Sequence, residues 1–131
     1  ARGLAAALLP ECRVLIDARR KEQAEALVAC LASFYPEREI SVYAGQRGDI
    51  LINATTLGSE SQPGMPFTEE QVRHSLLVYD AVYAPRKTEL ILTAEKFGIP
   101  TVLGMDMLTG QALLAREIFF AEERKEEDSE R

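Results

Sequence analysis

Apolar residues recur along the chain in two alternating rhythms. Short runs of β-branched and leucine residues at 12–17, 39–43, 49–55, 76–83 and 100–103 predict strands. Between them, apolar positions three and four apart predict helices, with Ala24, Leu27, Val28 and Leu31 in one stripe and Leu90, Ala94 and Phe97 in another. An alanine- and leucine-rich segment at 1–9 reads as helix by propensity, and Pro10 stops it. Pro36 ends the second helix, Gly45 and Gly48 mark a turn, and residues 58–66 form a Ser/Gly/Pro loop. Thr68 and Gln71 have capping-box spacing, Thr88 is placed to cap the following helix, and Gly98 is placed to end it. From about Met105, the stripe Leu108, Ala112, Ala115, Phe119 carries a long helix into a charged tail. The expected division is a folded domain over residues 1–121 and a helical or frayed tail over 122–131.

Strands alternating with helices at this spacing predict parallel βαβ units, with helices on both faces of the sheet in a three-layer α/β fold. The run at 49–55 is almost wholly apolar up to Asn53, as in a strand covered on both faces. Ligands of such folds meet the carboxyl ends of the strands. The polar residues there are therefore the candidates: 17–20, 53–56, 80–83 and Gly104.

Composition narrows the choice. With 131 residues, 47% of them hydrophobic and 27% charged, the chain has the make-up of one ordinary globular domain with a core of its own. A formal charge of -6 sets the overall field against nucleic acid and anionic membranes as partners. Cys12 and Cys30 lack CxxC spacing and read as two reduced, packed thiols. With His74 the single histidine, no metal site is expected. No run approaches the roughly 18 apolar residues of a membrane span, and no basic-then-apolar leader opens the sequence, so the expected setting is cytoplasmic. The first residue is Ala1 rather than Met, as in a piece of a longer translation product.

The strand ends differ in what they offer. After the first clear strand comes Asp17-Ala18-Arg19-Arg20-Lys21. In a nucleotide-binding half, an acid at this point bonds the ribose 2'-hydroxyl and an arginine accommodates a 2'-phosphate, so the arginines favour NADP while Asp17 leaves room for NAD. The same residues also read as a solvated basic helical turn. Asn53, Thr55 and Thr56 offer amide, hydroxyl and backbone groups, or simple turn chemistry. Asp80 ends an apolar run and must find a backbone donor or a ligand. Gln111, at the edge of the last helix's stripe, either reaches substrate hydroxyls or lies on the helix surface.

Three motifs in order resemble the nucleotide-binding domain of the shikimate dehydrogenase family, including its quinate/shikimate variants and the plant bifunctional form. They are Ile50-Leu51-Ile52-Asn53-Ala54-Thr55-Thr56-Leu57-Gly58, then Asp80-Ala81-Val82-Tyr83-Ala84-Pro85-Arg86-Lys87-Thr88, then Gly104-Met105-Asp106-Met107-Leu108-Thr109-Gly110-Gln111-Ala112. The resemblance covers roughly residues 1–120 and implies a Rossmann-like sheet and NADP-dependent interconversion of 3-dehydroshikimate and shikimate. It implies that Arg19, Arg20, Asn53, Thr55 and Gly104 meet the cofactor, Gly104 through its backbone, and that Tyr83 and Gln111 touch the substrate. Three positions depart from the family pattern: Ala18 and Arg20 flank Arg19 where the family has Asn and Thr, and Ser59 stands where it usually has Met.

By the same resemblance, the first Rossmann strand, the Gly-rich turn after it and the preceding substrate domain with the catalytic Lys and Asp are missing from this sequence. No catalytic residue is therefore expected within it, and negligible turnover of the chain alone follows. In the strand order 3-2-1-4-5-6 the missing strand is central. The expectation is that strands re-pair within the chain or that another chain supplies an edge, which favours a homo-oligomer. Two alternatives stand beside the oxidoreductase reading. One is a non-catalytic dinucleotide-fold module for oligomerisation or partner binding. The other is a flavodoxin-like or receiver domain using Asp49 or Asp80, which explains the α/β pattern but none of the motifs.

Overall fold

A computed structural model describes the backbone of residues 1–129 and the side chains of residues 1–119. The elements follow in the order α1 (Arg2–Leu8), β1 (Val14–Ile16), α2 (Lys21–Phe34), β2 (Ile40–Val42), β3 (Ile50–Asn53), α3 (Glu69–Arg73), β4 (Leu77–Asp80), α4 (Glu89–Lys96), β5 (Thr101–Val102) and α5 (Gly104–Ser129). They divide into two compact units, Ala1–Gly48 and Asp49–Arg131. The fold is α/β, with a small parallel sheet in each unit and helices flanking it.

In the first unit β1 pairs in parallel with β2, Val14 opposite Ile40 and Ile16 opposite Val42. Burial of Ala5, Leu9, Val14 and Leu31 packs α1 and α2 onto this ribbon, with Leu27, Tyr35 and Ile40 partly buried around them. Arg20 stands at the N-cap of α2, and its side chain makes no capping bond. Its entry is a basic turn with Arg19 and Arg20 both exposed.

In the second unit three parallel strands run in the order β3-β4-β5, with Leu51 opposite Val78 and Asn53 opposite Asp80. The core is Leu51, Val72, Val78, Leu90, Ile91 and Ala94, drawn from β3, α3, β4 and α4. Removing a side chain such as Leu90 or Ile91 from water stabilises the fold by about 1.5–3 kcal/mol each. Thr68 and Gln71 form the capping box of α3, and Thr88 caps α4 through the Ile91 amide. Gly98 ends α4 with a positive φ of 69°, a conformation that favours glycine.

Several expectations change. The strands are shorter than their apolar runs, and for β3 and β4 the reason is local. Asn53 Oδ1 accepts the Thr55 amide and Asp80 Oδ1 accepts the Val82 amide, so each polar side chain captures the backbone donor that would have extended its strand. Cys12 is exposed rather than packed, because it lies in the turn after α1, where its thiol donates to the Leu8 carbonyl. The stripe on α5 is not covered among the described residues, and Leu108 and Phe119 are 43% and 72% exposed. Nor do the strands re-pair. β1 bonds only to β2, and β3 only to β4, among the described residues. Asp49 and Asn53 direct their carbonyls to the β4 side, so by strand alternation Ile50 and Ile52 turn their backbone groups to the opposite, open edge. The charge of the tail at 122–131 concerns side chains outside the described residues.

Candidate functional site

The carboxyl edge of the β3-β4-β5 sheet is built around one carboxylate. Asp80 is 0% exposed, and three donors from three segments converge on it. Asn53 Nδ2 at the end of β3 and the Val82 amide in the following loop each donate to Oδ1 at 3.0 Å, while the Thr88 hydroxyl donates to Oδ2. A carboxylate in an apolar core costs several kcal/mol without such partners. Here Asn53, Val82 and Thr88 supply the partners.

Asn53 extends the network outward. Its Nδ2 also donates to the Leu57 carbonyl at 2.8 Å, and its Oδ1 accepts both the Thr55 amide at 3.1 Å and the Thr55 hydroxyl at 2.7 Å. The Thr55 hydroxyl in turn accepts the Leu57 amide. All four hydrogen-bonding valences of the Asn53 amide are therefore used inside the protein, and what Asn53 offers a ligand comes through the turn it shapes. Thr55 is exposed at the crest of that turn.

Gly104 opens α5 beside the same loop. A Cβ on Gly104 would lie 2.6 Å from the carbonyl oxygens of both Ala81 and Val82, a separation that real side chains do not tolerate. The β5–α5 junction thus comes within backbone contact of the β4 loop because the residue there is glycine. Tyr79, one residue before Asp80, donates its hydroxyl to the Met107 sulfur on α5. Burial, with a smaller push from the Asp80 charge, raises the Tyr79 pKa above its ordinary value.

Of the residues singled out from the sequence, Asn53, Thr55 and Gly104 gather at this carboxyl edge. Tyr83 is exposed in the loop after β4, just before the cis Ala84-Pro85 peptide, and Gln111 is exposed on α5. Arg19 and Arg20 stand at the carboxyl end of β1 in the other unit, and neither has an acidic partner among the described residues. Exposed guanidinium groups without a carboxylate partner suit a phosphate monoester, so the donor set at β1 fits a 2'-phosphorylated nucleotide. The residue that sequence reasoning undervalued is Thr88. Its capping role was legible from spacing, whereas its bond to Asp80 joins positions eight apart across a loop and leaves no periodic trace.

Parallel strands with crossover helices and polar residues at the carboxyl ends make this a partial Rossmann-like arrangement. No family model matches the chain. Individual relatives do match. It is 45% identical over 71 residues to shikimate dehydrogenase (NADP(+)) of Sphingopyxis alaskensis, covering 54% of this chain and 26% of that protein. It is 33% identical over 117 residues to shikimate dehydrogenase (NADP(+)) of Sulfolobus acidocaldarius, covering 89% of this chain and 41% of that protein. A solved shikimate dehydrogenase in complex with NADP+ superposes with a TM-score of 0.75 at 28% identity, over 88% of this chain and 43% of that one. The chain is a partial match to the shikimate dehydrogenase family, and it spans less than half the length of these relatives.

Proposed function

We propose that this chain is the nucleotide-side part of an NADP-dependent oxidoreductase that interconverts 3-dehydroshikimate and shikimate, and that it does not turn over by itself. The observation that carries this reading is the side-by-side placement of Asn53 and Asp80 at the carboxyl edge of a parallel sheet, where doubly wound folds receive their ligands. Arg19 and Arg20 are assigned to the 2'-phosphate, Thr55 and the turn shaped by Asn53 to the dinucleotide, and the Gly104 backbone to the nicotinamide amide. Tyr83 and Gln111 are assigned to the substrate. The cofactor, when bound, supplies the hydride; the chain's own residues bind and orient. Family members carry the proton-transfer pair on a separate substrate domain, and none of the residues assigned here performs that step.

Calorimetric titration of the 131-residue chain with NADP, repeated with NAD, tests the reading. Saturable NADP binding weakened about tenfold by Arg19→Ala, equivalent to ~1.4 kcal/mol, is expected, because one charge-assisted contact at an exposed site is worth about that much. Absence of NADP binding in a folded sample overturns the assignment. A cytoplasmic setting belongs to the same proposal; among the described residues no helix is long and apolar enough to cross a membrane.

One observation favours a second reading, an assembly module. The outer edges of β1 and β3 are both unpaired among the described residues, and an open parallel edge flanked by apolar side chains accepts another strand. Under this reading a second copy of the chain covers one of these edges, and the protein is a homo-oligomer.

A further inference from the structure

We propose that Asp80 is a positioning residue that locks the turn carrying Thr55 to the loop carrying Tyr83, so that the nucleotide side and the substrate side of the site hold one geometry. This rests on the functional reading above. The Asp80 side chain needs no contact with either ligand to do so.

The Asp80 carboxylate joins separate segments of the chain. Its three donors come from three different segments: the end of β3, the loop after β4, and the first residue before α4. None of them belongs to the regular sheet ladder. From Asp80 the bonds run through Asn53 to Thr55 and Leu57 on one side, and through Val82 and Thr88 to both ends of the loop that holds Tyr83 on the other. Loops are ordinarily the most mobile parts of an α/β fold. Here two of them share a single fully buried anchor.

Gly104 lets α5 approach the same loop closely. The Ala81 and Val82 carbonyls lie against the Gly104 backbone, while the Val82 amide is held by Asp80. The start of the Tyr83 loop is thereby held on its donor by the carboxylate, while its carbonyls pass close to the first residue of α5. A carboxylate serving stability alone is poorly suited to this position, because a well-packed apolar residue does as well without the desolvation cost. An acceptor with two oxygens, four lone-pair directions and a fixed place in β4 is what joining three donors requires.

The test perturbs one end of the network and reads the other. Thr88→Val removes the bond to Oδ2 and leaves the two donors on Oδ1 in place, and Asp80→Asn removes the charge at nearly constant shape. Amide hydrogen exchange of the 131-residue chain is measured at Thr55, Leu57 and Val82, with Val78 and Tyr79 reporting on the sheet. The expected result for Thr88→Val is exchange about tenfold faster at Thr55 and Leu57, more than thirty residues away in sequence, with the sheet amides unchanged. Faster exchange confined to Ile91, whose amide Thr88 caps, overturns the proposal. NADP titration gives the functional arm. A dissociation constant raised about tenfold by Asp80→Asn, but unchanged by Asp49→Asn at an exposed site outside the network, supports the positioning role. An unchanged constant in a folded Asp80→Asn variant overturns it. If the parent chain binds no NADP, the functional reading fails, and the exchange data still decide whether the two loops are locked together. If Asp80→Asn does not fold, Thr88→Val carries both arms.

Discussion

Replacing Gly104 by alanine adds one methyl group, and its effect follows from two distances. The new Cβ would meet the Ala81 and Val82 carbonyl oxygens at 2.6 Å each, both of them backbone atoms of a loop held by Asp80. Neither can rotate away as a side-chain tip would, so the start of α5 or the loop has to move. Overpacking of this kind costs about 1–3 kcal/mol. Alanine at a helical position returns roughly 0.5–1 kcal/mol by restricting the unfolded chain. The net expectation for Gly104→Ala is a loss of up to about 2.5 kcal/mol. Gly110→Ala is the internal control, being the same substitution in the same helix with nothing within 4 Å of the added carbon. There only the helical gain applies, and helix content at 222 nm rises. Urea denaturation followed by circular dichroism measures both variants. If Gly104→Ala is as stable as the parent chain or stabilised like Gly110→Ala, the close approach between α5 and the β4 loop is not a constraint on the fold.

Two further outcomes are expected. Because the Tyr79 pKa is raised in the folded protein, the unfolded chain loses its phenolic proton first. The contribution is therefore intact below pH ~10 and declines as pH rises through the folded value, so thermal unfolding of the parent should show an alkaline loss that Tyr79→Phe lacks. An identical alkaline slope in Tyr79→Phe would assign that loss to other groups. Sedimentation equilibrium tests the open strand edges: assembly through them gives a concentration-dependent oligomer, broken by proline at Ile52, whose backbone N–H faces the free edge of β3. A strictly monomeric chain at high concentration removes the homo-oligomer from consideration.

The elements themselves were legible because their causes are local. Apolar runs at Val14, Leu51 and Val78 gave strands, the stripe through Leu90 and Ala94 gave α4, and Thr68, Thr88 and Gly98 fixed helix ends by capping chemistry that acts over three or four residues. The polar positions of the candidate site were legible too, since Asn53 and Asp80 interrupt apolar runs where a strand must stop. What a one-dimensional pattern does not carry is how far each strand extends and which groups meet. Strands β3 and β4 end early because Asn53 and Asp80 seize nearby amides. The periodic stripe on α5 promises a packing partner that the described residues do not provide, as periodicity records a face and not what covers it.

The sequence by itself therefore determined the α/β class, the order of the elements and the polar residues at the strand ends, through propensity, periodicity and capping. Only the tertiary structure decided that Asn53 and Asp80, 27 residues apart, share a hydrogen bond, that Thr88 completes the anchor, and that a side chain at position 104 would meet two backbone carbonyls. Those facts depend on parallel strand register and on the approach of one backbone to another, and both are set by packing between segments distant in the chain.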